Sequence, residues 1–196
     1  MLFLSPADVA AALHGLFRLV RFDKEGLEYF DASVEGFIKS FWVAAVLLPP
    51  YLLIMVFADV ALSEGPTLAP QLARYVIVEA LAYVVDWVAF PLVLLTLADY
   101  LGVNARVLHF LVPFNWFQLI IVLAFLPLDL LIALGLLPDG LIAIVSLGLI
   151  GGWLAYTTFQ ARHGLQVPWW SAFGVTGLSI TVGVVVLGWA GTLKAT

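Results

Sequence analysis

The chain has 196 residues, of which 64% are hydrophobic and only 11% charged, against roughly a quarter charged in a soluble domain. Its mean hydropathy of +1.11 is more than one core of this length can hide from water, so the chain needs the hydrocarbon of a bilayer. A net charge of -5, the absence of cysteine and the lack of any long polar stretch exclude several classes: a nucleic-acid binder, a tethered soluble enzyme, a disulfide framework, an iron–sulfur cluster and a thiolate zinc site.

The first residues carry no basic region followed by a long apolar run, so no cleaved signal peptide is expected. Ser5-Pro6-Ala7-Asp8 is a helix start: an N-capping hydroxyl, a proline whose missing N–H costs nothing at the first position, and an acid in the first turn. Val9, Leu13, Leu16, Phe17 and Val20 then recur at helical spacing, and Leu27, Phe30, Val34, Phe37, Ile38 and Phe41 form a second such series among charged residues. Residues 1–40 are therefore expected to form amphipathic helices at the cytoplasmic membrane surface, either packed under the bundle or docking a lipid or partner.

Residues 41–196 predict a five-helix transmembrane bundle, with spans at about 41–62, 75–98, 110–137, 140–160 and 169–192. The fold class is all-α, a polytopic membrane helix bundle. Arg18, Arg21, Lys24, Lys39, Arg106 and Arg162 fall on one side of these spans, and Arg74 and Lys194 on the other. Cytoplasmic loops retain basic residues, so the N-terminus is expected in the cytoplasm and the C-terminus outside.

Pro49-Pro50, Pro91, Pro113 and Pro127 each remove a backbone donor from one of the first three spans, which predicts helix perturbations there. Gly148 and Gly152 on span 4 and Ser179 and Gly183 on span 5 predict helix faces that permit close approach, giving a tight hairpin or serving a dimer. Thr96 to Gly102 and Thr158 to Gly164 repeat one spacing, with each glycine suited to a helix C-cap, as two hairpins of spans 2–3 and 4–5 would produce. Trp42, Trp116, Trp169 and Trp170 mark one membrane boundary and Trp189 the other, with Trp87 and Trp153 deeper.

Asp59, Glu79, Asp86 and Asp129 lie within or at the edge of the spans, with Arg74 the nearest cation in sequence. A charged carboxylate at bilayer depth costs about 2.5–3.5 kcal/mol on insertion scales, so such acids are protonated, paired or turned toward water. Converging, they would bind a cation or pass protons. Otherwise Arg74 pairs with Glu79, and Asp86 hydrogen-bonds Tyr83, Trp87 or span 3. On the cytoplasmic half, Thr96, Asp99, Arg106, His109, Asn115 and Gln118 are expected to form a polar patch held by interhelical hydrogen bonds. His14, His109 and His163 sit in separate segments without metal-ligand spacing, and no phosphate loop, dinucleotide fingerprint, nucleophile elbow or zinc-protease helix occurs. No catalytic residue, metal or cofactor is expected.

Tyr156-Thr-Thr-Phe159-Gln-Ala-Arg162-His-Gly-Leu165, an aromatic and basic helix exit before the last span, together with Asn115-Trp116 early in span 3, resembles the bacterial relatives of the Ypt-interacting-protein (YIP) family of five-span membrane proteins. The resemblance implies a membrane organiser rather than an enzyme and transfers no catalytic residue. The expectation from sequence is thus a non-enzymatic scaffold or accessory subunit of a bacterial inner membrane, in contact with lipids and with other membrane proteins or further copies of itself. The alternative is a proton- or cation-coupled transporter or channel using the intramembrane carboxylates.

Overall fold

A computed structural model describes residues 3–62 and 69–195, without the side chains of 58–71 and of 194–195. Helix α1 (Pro6–Leu19) starts as its sequence dictates: Ser5 Oγ accepts from the Asp8 N–H at 3.1 Å, and the Ser5 N–H donates back to Asp8 Oδ2 at 3.0 Å. Its buried face is Ala12, Gly15, Leu16 and Leu19. The chain then reverses at Phe22, whose φ of 59° lies in the left-handed region, and enters a 3-10 turn (Lys24–Tyr29) that packs back on α1.

Two glycines make that return possible. A Cβ on Gly26 would stand 2.7 Å from the Gly15 carbonyl, and one on Gly15 would stand 2.8 Å from the Gly26 carbonyl and 2.6 Å from the Phe30 ring. Arg18 closes the unit, its Nε on Asp23 at 2.6 Å and its Nη2 on Glu25 at 2.5 Å. The guanidinium holds the Asp23 carboxyl below its ordinary range, and its own pKa is raised by the same bonds. Such a lowered carboxyl stabilises the unit fully above the usual carboxylate pKa and loses that contribution as the pH falls through the lowered value.

Helix α2 (Val34–Ser40) follows, capped by Ser33, whose Oγ accepts from the Gly36 N–H at 3.0 Å. It runs into α3 (Trp42–Leu62) with a break only at Phe41, and Val34–Phe57 is the first of five helical segments long and apolar enough to cross a membrane. The boundary read at residue 40 coincides with that break, and the apolar segment extends across it. Apolar spacing continues through Phe37, Ile38 and Phe41, and the charges of Glu35 and Lys39 are joined to each other at 3.1 Å.

The remaining spanning helices are α4 (Ala69–Leu97), α5 (Val107–Ala133), α6 (Asp139–Gly164) and α7 (Trp169–Ala195), and the described residues contain no strand. This is a multi-pass membrane protein of all-α class. The five prolines inside α3, α4 and α5 interrupt none of these helices.

The five helices close into a ring in the order α3, α4, α7, α6, α5 and back to α3. Spans 2 and 3 are therefore not a packed hairpin: α4 packs mainly on α7 and α3, and α5 on α3 and α6. The turn joining α4 to α5 holds Gly102 at φ +66°, and the two helices touch near it through Phe90, Phe110 and Phe114. Gly164, by contrast, is not left-handed. Gln166 takes that conformation at φ 57°, while Gly164 stays helical and lies where a Cβ would be 3.0 Å from the His109 carbonyl and 3.1 Å from Phe110 Cα. Pro113 has no N–H for that His109 carbonyl, so α5 presents a bare backbone edge where α6 comes closest.

The N-terminal layer covers one end of the ring, here the capped end; the opposite end is the open end. A core of Leu16, Leu19, Phe30, Trp116, Phe117 and Phe159 joins the layer to α5 and α6, which is the packing alternative for residues 1–40. Replacing Gly26 by Val is expected to destabilise the layer by about 1–3 kcal/mol through overpacking against Gly15. Limited proteolysis of the purified protein would then cleave within residues 1–30 sooner than in wild type while the spanning bundle stays intact.

Candidate functional site

The interior of the ring is not filled. A cavity of about 660 Å³ is lined by side chains from all five spanning helices: Tyr51 of α3, Glu79 and Asp86 of α4, Gln118 of α5, Trp153 of α6 and Ser179 of α7 among them. Toward the capped end it stops at Phe90 and Phe114, which pack on Phe110 at centroid distances of 6.2 Å (edge-to-face) and 5.4 Å (tilted) and on each other at 4.9 Å. Beside them Asn115 donates to Ser40 Oγ at 2.8 Å, and Ser40 Oγ donates to the Phe37 carbonyl at 2.6 Å. This buried thread ties the cavity floor to α2 and employs the Asn115 amide nitrogen in structure.

Its lining includes the exposed Ile150 of α6 and Val184 and Leu187 of α7, so on that flank the cavity opens between α6 and α7. The two helices are joined toward the capped end by the buried Thr158–Thr176 hydroxyl contact at 3.0 Å and by packing around Ala161, Leu165, Ala172 and Val175. Farther along, Gly148, Gly151, Gly152 and Gly188 have nothing within 4 Å of an added Cβ. The predicted close approach at Gly148 and Gly152 is thus absent within the chain: the pair splays. Ser179 and Gly183 face inward instead, Ser179 Oγ donating to the Thr176 carbonyl at 2.8 Å and Gly183 leaving room beside Asp86, whose Oδ1 would lie 3.9 Å from a Cβ there. Ser179 and Gly183 on α7 border the cavity, and Gly148, Gly151 and Gly152 on α6 face open space.

Tyrosines lace α3 to α4. Tyr51 donates to Glu79 Oε2 at 3.2 Å, Tyr75 to the Met55 carbonyl at 3.3 Å and Tyr83 to the Ala44 carbonyl at 2.8 Å. Phenol donors suit this role because their rings bury readily while the hydroxyl needs a partner in the low dielectric. Glu79 is buried at 4% exposure with the Tyr51 hydroxyl on it. Asp86, two turns farther along the same face, makes no hydrogen bond or ion pair among the described residues, since Tyr83 is engaged with α3. No Lys, Arg or His lines the cavity among the described residues.

Among the described residues, two of the expected acids meet. Glu79 and Asp86 share the cavity wall, whereas Asp129 stands half-buried on α5 outside it. Arg74 is exposed near the open end and donates to the Leu193 carbonyl at 2.7 Å, and the side chain of Asp59 lies outside the described residues.

The expected polar patch is divided as well. Thr96 donates to its own helix at the Val93 carbonyl, and Asp99 accepts from Asn104 in the following turn at 2.6 Å. Arg106 and His109 turn to a separate pocket at the capped end, Asn115 is in the floor and Gln118 in the cavity wall. Helix rotation decides this split, because residues 106 and 109 precede the buried stretch that begins at Phe110.

Sequence reasoning missed Tyr51, Ser40 and the buried polar run of α6. Tyr156 stacks on Phe117 at 3.4 Å, and among the described residues its hydroxyl, the Thr157 hydroxyl and both amide atoms of Gln160 are buried without a hydrogen-bond partner. A cluster of polar residues inside an apolar span was the available signal, since lipid-facing positions do not tolerate it.

No protein-family model, curated protein or solved structure matches the chain.

The substitution Tyr51→Phe is expected to cost about 1 kcal/mol, the usual order for one interhelical hydrogen bond, by leaving Glu79 without its phenol donor. Thermal unfolding in detergent would register it, and Tyr51→Ala would lose more by deleting the ring that packs on Tyr83 at 4.9 Å.

Proposed function

We propose that this is a non-enzymatic membrane protein whose ring of helices binds a small amphipathic cation, or takes up a proton with its ligand, at Asp86 and Glu79. The observation that carries the reading is Asp86, a carboxylate without a protein partner among the described residues, on the wall of a cavity that holds a second carboxylate and no basic side chain. Toward the centre of a bilayer such a group is costly unless a cation, a proton or water answers it. The otherwise apolar lining, with Trp87, Trp153 and Phe125, suits the hydrophobic body of such a ligand and offers faces for cation–π attraction. The flank between α6 and α7 supplies a path from the lipid, and the aromatic floor argues against a continuous ion pore in this conformation. The setting that fits is a bacterial inner membrane with the capped end in the cytoplasm, supported by six of the eight basic residues at that end.

The test is titration of the full chain in nanodiscs with tetraphenylphosphonium, read by quenching of tryptophan fluorescence. Saturable quenching in wild type, weakened at least about tenfold by Asp86→Asn in a protein of unchanged size and melting temperature, is the expected result. Quenching indifferent to Asp86→Asn and Glu79→Gln would sink the reading.

A second reading, an accessory subunit or scaffold of the kind the YIP resemblance implies, is favoured by the outward glycine face of α6, which leaves open space beside Gly148, Gly151 and Gly152. Small residues let a helix of another protein or of a second copy approach closely. Because the chain has no cysteine, a Gly152→Cys substitution gives a single thiol. Oxidation in native membranes is expected to trap a dimer or a mixed disulfide there, and a chain that stays monomeric would count against this reading.

A further inference from the structure

At the capped end, separate from the intramembrane cavity, a second pocket of about 630 Å³ collects charged groups from three parts of the chain. The 3-10 turn and the residues after it contribute Lys24, Glu28 and Asp31. The start of α5 contributes Arg106 and His109, and the end of α6 contributes Arg162 and His163. The backbone contact at Gly164 brings the last two pairs side by side, since any side chain there would force α6 away from His109 and Phe110.

These charges line one pocket, yet they do not pair with one another. Among the described residues no ion pair joins Lys24, Arg106 or Arg162 to Glu28 or Asp31, and no hydrogen bond occupies any of the three cations. Glu25, also in the wall, is taken by Arg18, and Asp31 uses one oxygen on the Ser33 N–H. Arg162 and His163 are held in place by Trp169, with the guanidinium carbon 6.0 Å from its ring centroid and the imidazole edge-on at 6.2 Å. Opposite charges facing a common space without meeting form a site for a group that carries both signs.

The geometry points to a phosphoethanolamine group as the ligand, its phosphate received by Arg106, Arg162 and the two imidazoles and its ammonium by Glu28 and Asp31. Guanidinium forks match phosphate oxygens, and carboxylates match an ammonium. Phosphatidylethanolamine in the adjoining leaflet is one source of that chemistry, and the exposed Trp169, against the lining Arg162 and His163, puts the pocket at the depth of lipid headgroups. A soluble phosphoethanolamine is the other.

The experiment is native mass spectrometry of the full chain in a mild detergent with equal amounts of phosphatidylethanolamine, phosphatidylglycerol and phosphatidylcholine. One phosphatidylethanolamine should be retained in preference to the other two, and R106Q/R162Q should lower its retention at least about tenfold. R21Q, which removes a charge from the same end but outside the pocket, should change nothing. E28Q/D31N, which keeps the phosphate side and removes the ammonium side, should shift the preference to phosphatidylglycerol. This inversion keeps the proposal open to refutation even if R106Q/R162Q does not fold. Displacement of the lipid by excess O-phosphoethanolamine assigns the same site to a soluble ligand, and failure to displace assigns it to the membrane. Equal retention of the three lipids by wild type, or a ranking untouched by E28Q/D31N, overturns the proposal.

Discussion

The first three turns of α5 are the part on which the rest of the molecule depends. Phe110 to Phe117 are buried without exception, in a protein whose other spanning helices present much of their surface outward. In lipid, apolar side chains gain little by leaving their surroundings, so helices associate through close packing and hydrogen bonds. Both are concentrated here. Gly164 meets the α5 backbone, Phe117 stacks on Tyr156, Asn115 reaches Ser40, and the aromatic trio of Phe90, Phe110 and Phe114 binds α4 to α5. The N-terminal layer rests on the same stretch through Leu16 and Leu19. With α5 anchored at the capped end, the far ends of α6 and α7 are free to diverge.

The molecule thus has two polar regions of opposite character. Inside the ring the charge is purely acidic and the walls are aromatic and aliphatic; at the capped end both signs meet at the membrane boundary. The aromatic floor and the Asn115–Ser40 thread separate them. Low dielectric strengthens whatever each region pairs with, and it equally penalises a group left alone, which is why Asp86 stands out from the tyrosine-bonded Glu79 beside it.

Much of this was legible along the chain. Five apolar stretches, the Ser5–Asp8 capping box and the sharing of one helix face by Glu79 and Asp86 follow from local spacing, because helical periodicity and capping act over a few residues. The first span is legible in the same way, since α3 (Trp42–Leu62) matches the stretch read at about 41–62, while the apolar segment leading into it starts earlier, at Val34. Gly148 and Gly183 are legible as close-packing residues and Gly164 as a helix cap, though not which neighbour each would meet. Gly164 meets α5, Gly183 borders the cavity and Gly148 faces outward, three outcomes for one residue type.

The sequence by itself determined an all-α membrane bundle of five spans, with an amphipathic layer and a carboxylate pair in its second span, since each property depends on composition and near-neighbour spacing. Only the tertiary structure decided that the spans close into a ring around a cavity, that Asp129 stays outside it and that Arg106 and His109 join Arg162 and His163. Those outcomes depend on which helix lies beside which and at what rotation. Backbone contacts between residues as distant in sequence as His109 and Gly164 set that arrangement, and no local pattern encodes it.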